Sequence, residues 1–123
     1  MNEELLETIE REVLGWPGVW KKRDENGPGG IGVTGYRLGR RQIGHLHDDS
    51  HADFRFPGEF RAELIRSGRA IPHPAFPDSR TTASYQIRSV ADVPGAVELF
   101  RLGYERAEAA EKRKARSTSN ASL

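Results

Sequence analysis

Arg40-Arg41-Gln42-Ile43-Gly44-His45-Leu46-His47-Asp48-Asp49 is the stretch on which the reading of this chain turns. An extended chain sends successive side chains to opposite faces. A strand over Arg41–His47 therefore puts Ile43, His45 and His47 on one side and Leu46 on the other. With His51 just beyond, three of the four histidines fall in or beside this segment, and the fourth, His73, directly precedes Pro74. Two imidazoles on one strand face suit metal ligation, acid/base work or a solvated polar surface, and the spacing alone leaves all three open.

Working outward, Gly39-Arg40 reads as a hairpin turn back to a strand within residues 31–38, and Asp48-Asp49-Ser50 as a polar turn into a short strand over residues 52–56. Residues 2–14 carry Leu5, Leu6, Ile9 and Val13 at helical spacing, with Glu3 and Glu4 in the first turn and Gly15 as the stop. A strand follows at residues 19–23, and Pro28-Gly29-Gly30 marks a turn. Pro57 opens a helix over residues 58–67. Residues 69–80, with three prolines, read as an irregular loop, and residues 81–88 as a strand. The last helix carries Val93, Val97, Phe100 and Tyr104, and Pro94 favours a start near Asp92. The order α-β-β-β-β-α-β-α predicts an α+β fold: a single small domain, an antiparallel sheet of about five strands, and N-terminal, middle and C-terminal helices. The domain is expected over residues 1–106. Residues 107–123 read as a charged helix extension with a disordered end from Arg116.

At 123 residues, with 36% hydrophobic and 30% charged residues, the chain suits one modest core. A formal net charge of +1 argues against a general nucleic-acid binder. The lack of cysteine removes disulfides, thiolate metal sites and thiol nucleophiles. No apolar run approaches the ~20 residues of a membrane span. The expectation is a soluble cytoplasmic protein with a small-molecule ligand and no membrane partner, with a homodimer left open.

Three chemistries are available to the histidines. As metal ligands, His45, His47 and His73 suit zinc or iron, with His51, Asp48, Asp49 and Asp53 to complete a nitrogen/oxygen shell. As acid/base groups, His45 or His47 beside Asp48, Asp53 or Asp78 is a carboxylate-oriented imidazole. The third option is a plain polar surface. Arg40-Arg41 offers planar donors for an anion or forms a solvated turn. Trp16, Trp20 and the phenylalanines read as core or pocket wall.

The run from Tyr36 to His47, then Gly68-Arg69-Ala70-Ile71-Pro72-His73-Pro74, Pro77-Asp78-Ser79 and Leu102-Gly103-Tyr104 resemble the luciferase-domain family. These are small, mostly bacterial proteins that share a core with the fungal luciferases. The resemblance spans about residues 3–106 and is most specific at Arg41-x-Ile43-small-His45-hydrophobic-His47-Asp48 and at His73-Pro74. The fungal enzymes oxidise a hydroxylated α-pyrone with molecular oxygen, without metal or flavin. The resemblance thus implies an oxygenase-like oxidoreductase needing no cofactor; a non-catalytic small-molecule or partner-binding module, and a His/Asp metal-binding protein with zinc or iron, remain as alternatives. Carried over by position, it implies His45, His47, Asp48 and His73 as catalytic and Arg41 as substrate-binding. Asp78 and Tyr36 join Arg41 as ligand contacts, together with the aromatic Trp20. The fungal proteins carry an N-terminal membrane segment, and the sequence leads us to expect none here. The chain also has Arg80-Thr81 where many relatives continue Asp-Ser with Gly-Trp.

Overall fold

The computed structural model describes residues 2–121, so Met1, Ser122 and Leu123 lie outside it. Helix α1 (Asn2–Leu14) is followed by strands β1 (Val19–Asp24), β2 (Val33–Leu38), β3 (Arg41–His47) and β4 (His51–Arg55). Helix α2 (Gly58–Arg66), strands β5 (Ile71–Pro72) and β6 (Thr82–Gln86), and helix α3 (Val93–Ala121) complete the chain. The six strands form one sheet in the order β1-β2-β3-β4-β6-β5, every neighbouring pair antiparallel. The α+β class is as the sequence predicts, with one strand more than expected. The extra strand, β5, has only two residues and lies within the proline-rich stretch, too short to show a period of two.

The core lies between one sheet face and the helices α1 and α3. Ile9 and Val13 of α1 and Leu99 and Phe100 of α3 are buried there. The Phe100 ring meets Tyr36 edge-on at 5.5 Å and Phe54 at 4.8 Å. Tyr85 of β6 donates its hydroxyl to the Asp92 carbonyl at 2.9 Å and lies against Gly95. Alternation follows from the register. Ala52 pairs with Tyr85 and Phe54 with Ala83 on the helix side, while His51 pairs with Gln86 and Asp53 with Ser84 on the opposite side. β1 is an edge strand, and Lys21, Lys22 and Arg23 make it a poor template for further pairing.

β3 does not alternate strictly. Its pairing with β2 steps from Tyr36↔Gly44 to Arg37↔Gln42, leaving Ile43 as an extra residue. This β-bulge turns Ile43 toward α3, where its carbonyl and side chain lie against Gly103. The expected sharing of one face by Ile43, His45 and His47 is therefore corrected. Ile43 joins Gly44 and Leu46 on the helix side, and His45 and His47 keep the other.

Before α3 a 3₁₀ turn, Val90–Asp92, is closed by the Ser89 N–H donating to Asp92 Oδ2 at 3.1 Å. Pro94 falls in the first turn of α3, where it breaks no helical hydrogen bond. α3 is continuous to Ala121, past Arg116, where composition predicts the start of a disordered end. Its backbone bonds are satisfied within the helix and need no core face. Among the described residues no helix is long and apolar enough to cross a membrane.

Candidate functional site

The sheet face away from α1 and α3 gathers polar side chains from four consecutive segments. β3 supplies His45 and His47, β4 supplies His51 and Asp53, β6 supplies Ser84, and the chain leaving β5 supplies His73. Register brings them together: His47 pairs with His51, and Asp53 lies between His45 and Ser84.

Asp53 is the hub. Its Oδ1 accepts a hydrogen bond from Ser84 Oγ at 2.5 Å. Its Oδ2 lies 2.8 Å from His47 Nε2 and 3.4 Å from both His51 Nε2 and His73 Nε2. The His47 and His51 rings stack at 4.1 Å, nearly parallel. His51 Nδ1 lies 2.6 Å from Asp49 Oδ1, so that nitrogen carries a proton and donates it. His73 Nδ1 accepts the Ala75 N–H at 3.1 Å, so the neutral ring carries its proton on Nε2, facing Asp53. The buried His47 Nε2 is close to Asp53 Oδ2 yet makes no directed hydrogen bond. Proximity and direction disagree for this atom. The two atoms are in contact without the alignment that a hydrogen bond requires.

Electrostatics follow from these contacts. Burial alone would raise the Asp53 pKa, but the close contacts of His47 and His51 and the hydrogen bond from Ser84 outweigh it and hold the carboxyl well below the usual carboxylate range. The Asp53 contact raises the His51 pKa above its ordinary value against the cost of burial, with Asp49 adding to the effect. His45 is pushed down, first by burial and then by the charge of His47. It contacts the Gln42 side-chain amide and stands apart from Asp53, its ring 6.3 Å from that of His47.

A cavity of about 600 Å³ opens beside the cluster, which borders it through His51, His73 and Ser84, with Asp49, Ser50 and Arg88 also in its wall. Ser50 is distinctive. It is a non-glycine residue in the left-handed region at φ 69°, and its hydroxyl is buried without a partner. Such a conformation costs about 1–2 kcal/mol, and both features suit a turn shaped for a ligand.

Of the positions expected from sequence, His45, His47 and His73 reach this face and the other five do not join the cluster. Asp48 turns to the helix side, where Arg23 grips it at 2.6 and 2.8 Å. The cause is the pleat, which sends Asp48 opposite to His47. Arg41 pairs with Glu111 of α3 at 3.4 Å and borders a separate arginine-lined cleft. Tyr36 is core, 1% exposed, with its hydroxyl on Glu10 at 2.5 Å. Trp20 lies on edge strand β1, 45% exposed, its indole N–H donated to the Gly39 carbonyl. Asp78 is exposed in the segment between β5 and β6.

Asp53 and His51 stood in the sequence only as members of a wide pool, and Ser84 and Ser50 carried no signal. One clue was available. A three-residue turn at Asp48-Asp49-Ser50 sets His47 opposite His51, which puts His51-x-Asp53 beside His45-x-His47.

As built, the cluster can orient an imidazole and favour its protonated form beside the ionised Asp53. It can equally hold a cation, since ligand atoms of His47, His51 and Asp53 all lie within 4.8 Å of one another. A family model described as the luciferase domain matches residues 40–103, more than half of the chain, and the match contains all four histidines. No curated protein and no solved structure gives a significant match.

Proposed function

Because the chain belongs to the luciferase-domain family, we propose that the cavity bordered by His51, His73 and Ser84 is the site of an oxygenase-like enzyme acting on a small oxygen-bearing aromatic or pyrone-type molecule. One observation carries this reading: a single buried carboxylate faces three imidazoles and a serine hydroxyl at the edge of a cavity of about 600 Å³. A pocket of that volume takes a small molecule. The Nε2–H of His73 faces Asp53 at the cavity wall, where a carbonyl or enolate oxygen would share it. His51 projects into the cavity with its Nδ1–H held by Asp49, the orientation that leaves Nε2 to receive a proton. Removing a proton beside a carbonyl leaves an electron-rich anion that molecular oxygen attacks. Asp53 balances the positive charge that the proton brings to the imidazoles.

The test is a thermal-shift panel of hydroxypyrones and hydroxylated aromatic acids against wild type, His51→Ala and His73→Ala. A ligand present at 100 times its Kd stabilises by about 2.7 kcal/mol. We expect at least one compound to raise the wild-type Tm and to lose that effect in both variants. A panel without any shift, or a shift that both variants retain, overturns the assignment.

A further inference from the structure

We infer that His47, His51 and Asp53 form a three-ligand site for a divalent first-row transition-metal ion, and that His73 supports the site without ligating. The inference goes beyond the preceding reading and gives His51 a different role, since an ion on Nε2 would take the lone pair which that reading assigns to a proton, and ion binding can be measured without any organic ligand.

The first argument is geometric. An ion about 2.0–2.2 Å from nitrogen and oxygen ligands requires those ligand atoms to stand about 3.0–3.5 Å apart in octahedral or tetrahedral order. Asp53 Oδ2 lies 2.8 Å from His47 Nε2 and 3.4 Å from His51 Nε2, so two of the three edges have nearly the required length, and the two imidazoles, stacked nearly parallel at 4.1 Å, must tilt for both Nε2 lone pairs to meet one ion.

The second is the direction of lone pairs. His51 gives its Nδ1–H to Asp49, which leaves Nε2 as a lone-pair donor. That is the carboxylate–histidine–metal arrangement in which an outer carboxylate fixes the tautomer and raises ligand basicity. His47 Nε2 is buried and has no directed partner, the condition of a nitrogen whose partner is an ion.

The third argument excludes His73. Its Nδ1 accepts from the Ala75 N–H, so Nε2 carries the proton and has no lone pair to offer in the neutral ring. Its place 3.4 Å from Asp53 Oδ2 is that of a donor. The expected ligand set His45, His47 and His73 is thereby replaced.

Charge agrees. One carboxylate and two neutral imidazoles, with Asp49 behind His51, complement a dication. Two histidines and one carboxylate suit zinc, or iron(II) in a facial arrangement with open positions. Of the three ligands His51 lines the cavity, where the buried and unpartnered Ser50 hydroxyl also lies.

The experiment uses full-length, chelator-stripped protein titrated with Zn(II) by calorimetry and with Co(II) by visible absorption. We expect one equivalent to bind, a d–d band with Co(II), and at least a hundredfold loss of affinity in His51→Ala and in Asp53→Asn. Asp49→Asn should weaken binding about 10–100-fold through the lost outer carboxylate, and His73→Ala should change it less than tenfold. X-ray absorption on Zn(II)-loaded wild type, which needs no variant, should show two imidazoles with oxygen ligands filling the shell. No saturable binding, binding unchanged in His51→Ala and Asp53→Asn, or a shell of three imidazoles overturns the inference. Ligand shifts that persist in stripped protein while Zn(II) fails to bind would refute the ion and leave the preceding reading standing.

Discussion

Asp53→Asn in metal-free protein is expected to lower the melting temperature by about 8–12 °C at pH 7. Asparagine keeps the volume and can still accept from Ser84, which now stands 2.5 Å from Oδ1. It loses the charge beside His47 at 2.8 Å and His51 at 3.4 Å. A hydrogen bond to a charged group contributes about 1.5–3 kcal/mol and a neutral one about 0.5–1.5 kcal/mol, so the Ser84 contact loses about 1 kcal/mol. The two imidazole contacts bring the total to about 2–3 kcal/mol, below the 3–5 kcal/mol of breaking a fully buried pair. Unfolding entropy of about 2.1 cal/mol/K per residue over 123 residues gives about 0.26 kcal/mol/K, and the quotient is the stated shift.

The same variant fixes a pH dependence. The His51 pKa is raised in the folded protein, chiefly by Asp53. Its stabilisation is therefore fully present below the unfolded value of about 6.5 and is lost as pH rises through the folded value. The Asp53 pKa is lowered, so its own contribution is constant down to the ordinary carboxylate range and is lost only as pH falls through the lowered folded value. Calorimetric scans with chelator from pH 8.5 to 5.5 should thus show the gap between wild type and Asp53→Asn widening toward acid. A gap that is constant or narrows toward acid refutes the pairing. A variant that melts at or above wild type would show that burying this carboxylate costs more than its contacts return.

Three further outcomes are expected. Gly103→Ala gains about 1 kcal/mol of helix propensity, but its Cβ would lie 2.4 Å from the Ile43 carbonyl oxygen; with overpacking at about 1–3 kcal/mol, urea denaturation should show net destabilisation, and a more stable variant would deny the α3–β3 contact. Glu10 is held below its ordinary pKa because the contacts of Lys21 and Tyr36 outweigh burial, so its contribution is present above about pH 4.3 and is lost as pH falls through the lowered value. Glu10→Gln should cost about 1 kcal/mol at neutral pH, with the difference closing in acid melts. Trp20→Phe should leave Zn(II) affinity and ligand shifts unchanged and move stability by less than about 1 kcal/mol, since Trp20 stands on the sheet edge away from the cluster.

The sequence makes the fold class and most elements legible because their signals are local. The apolar spacing of Leu5 to Val13, the glycine at the β2–β3 turn and the proline at the start of α2 each act within a few residues. The site is only half legible because its hub is a matter of pairing. Asp53 differs from Asp48, which meets Arg23, and from Asp49, which meets only His51, in facing both neighbouring strands, and only the β3–β4–β6 register decides that. His73 arrives by a third route, through a two-residue strand that anchors its loop beside β6. Tyr36 misleads for the opposite reason: a tyrosine next to a functional strand is as useful for the core as for a pocket, and the Glu10 acceptor that settles the matter is 26 residues away.

The bulge at Ile43 explains how one strand serves both layers. β3 must give α3 an apolar surface and must also carry His45 and His47 away from it. Ile43 has the same parity as the histidines, so a regular pleat would either expose Ile43 or press both imidazoles into the core. One extra residue shifts the parity between Gln42 and Gly44. Arg41 then falls on the helix side, beside Glu111, and Gln42 on the histidine side, touching His45. Gly44 takes the position beneath Phe54 and Phe100, where any Cβ would come within 2.8 Å of the rings. The short glycine step between Ile43 and His45 is therefore the packing consequence of the bulge. It lets a core strand and a histidine-bearing strand be the same seven residues.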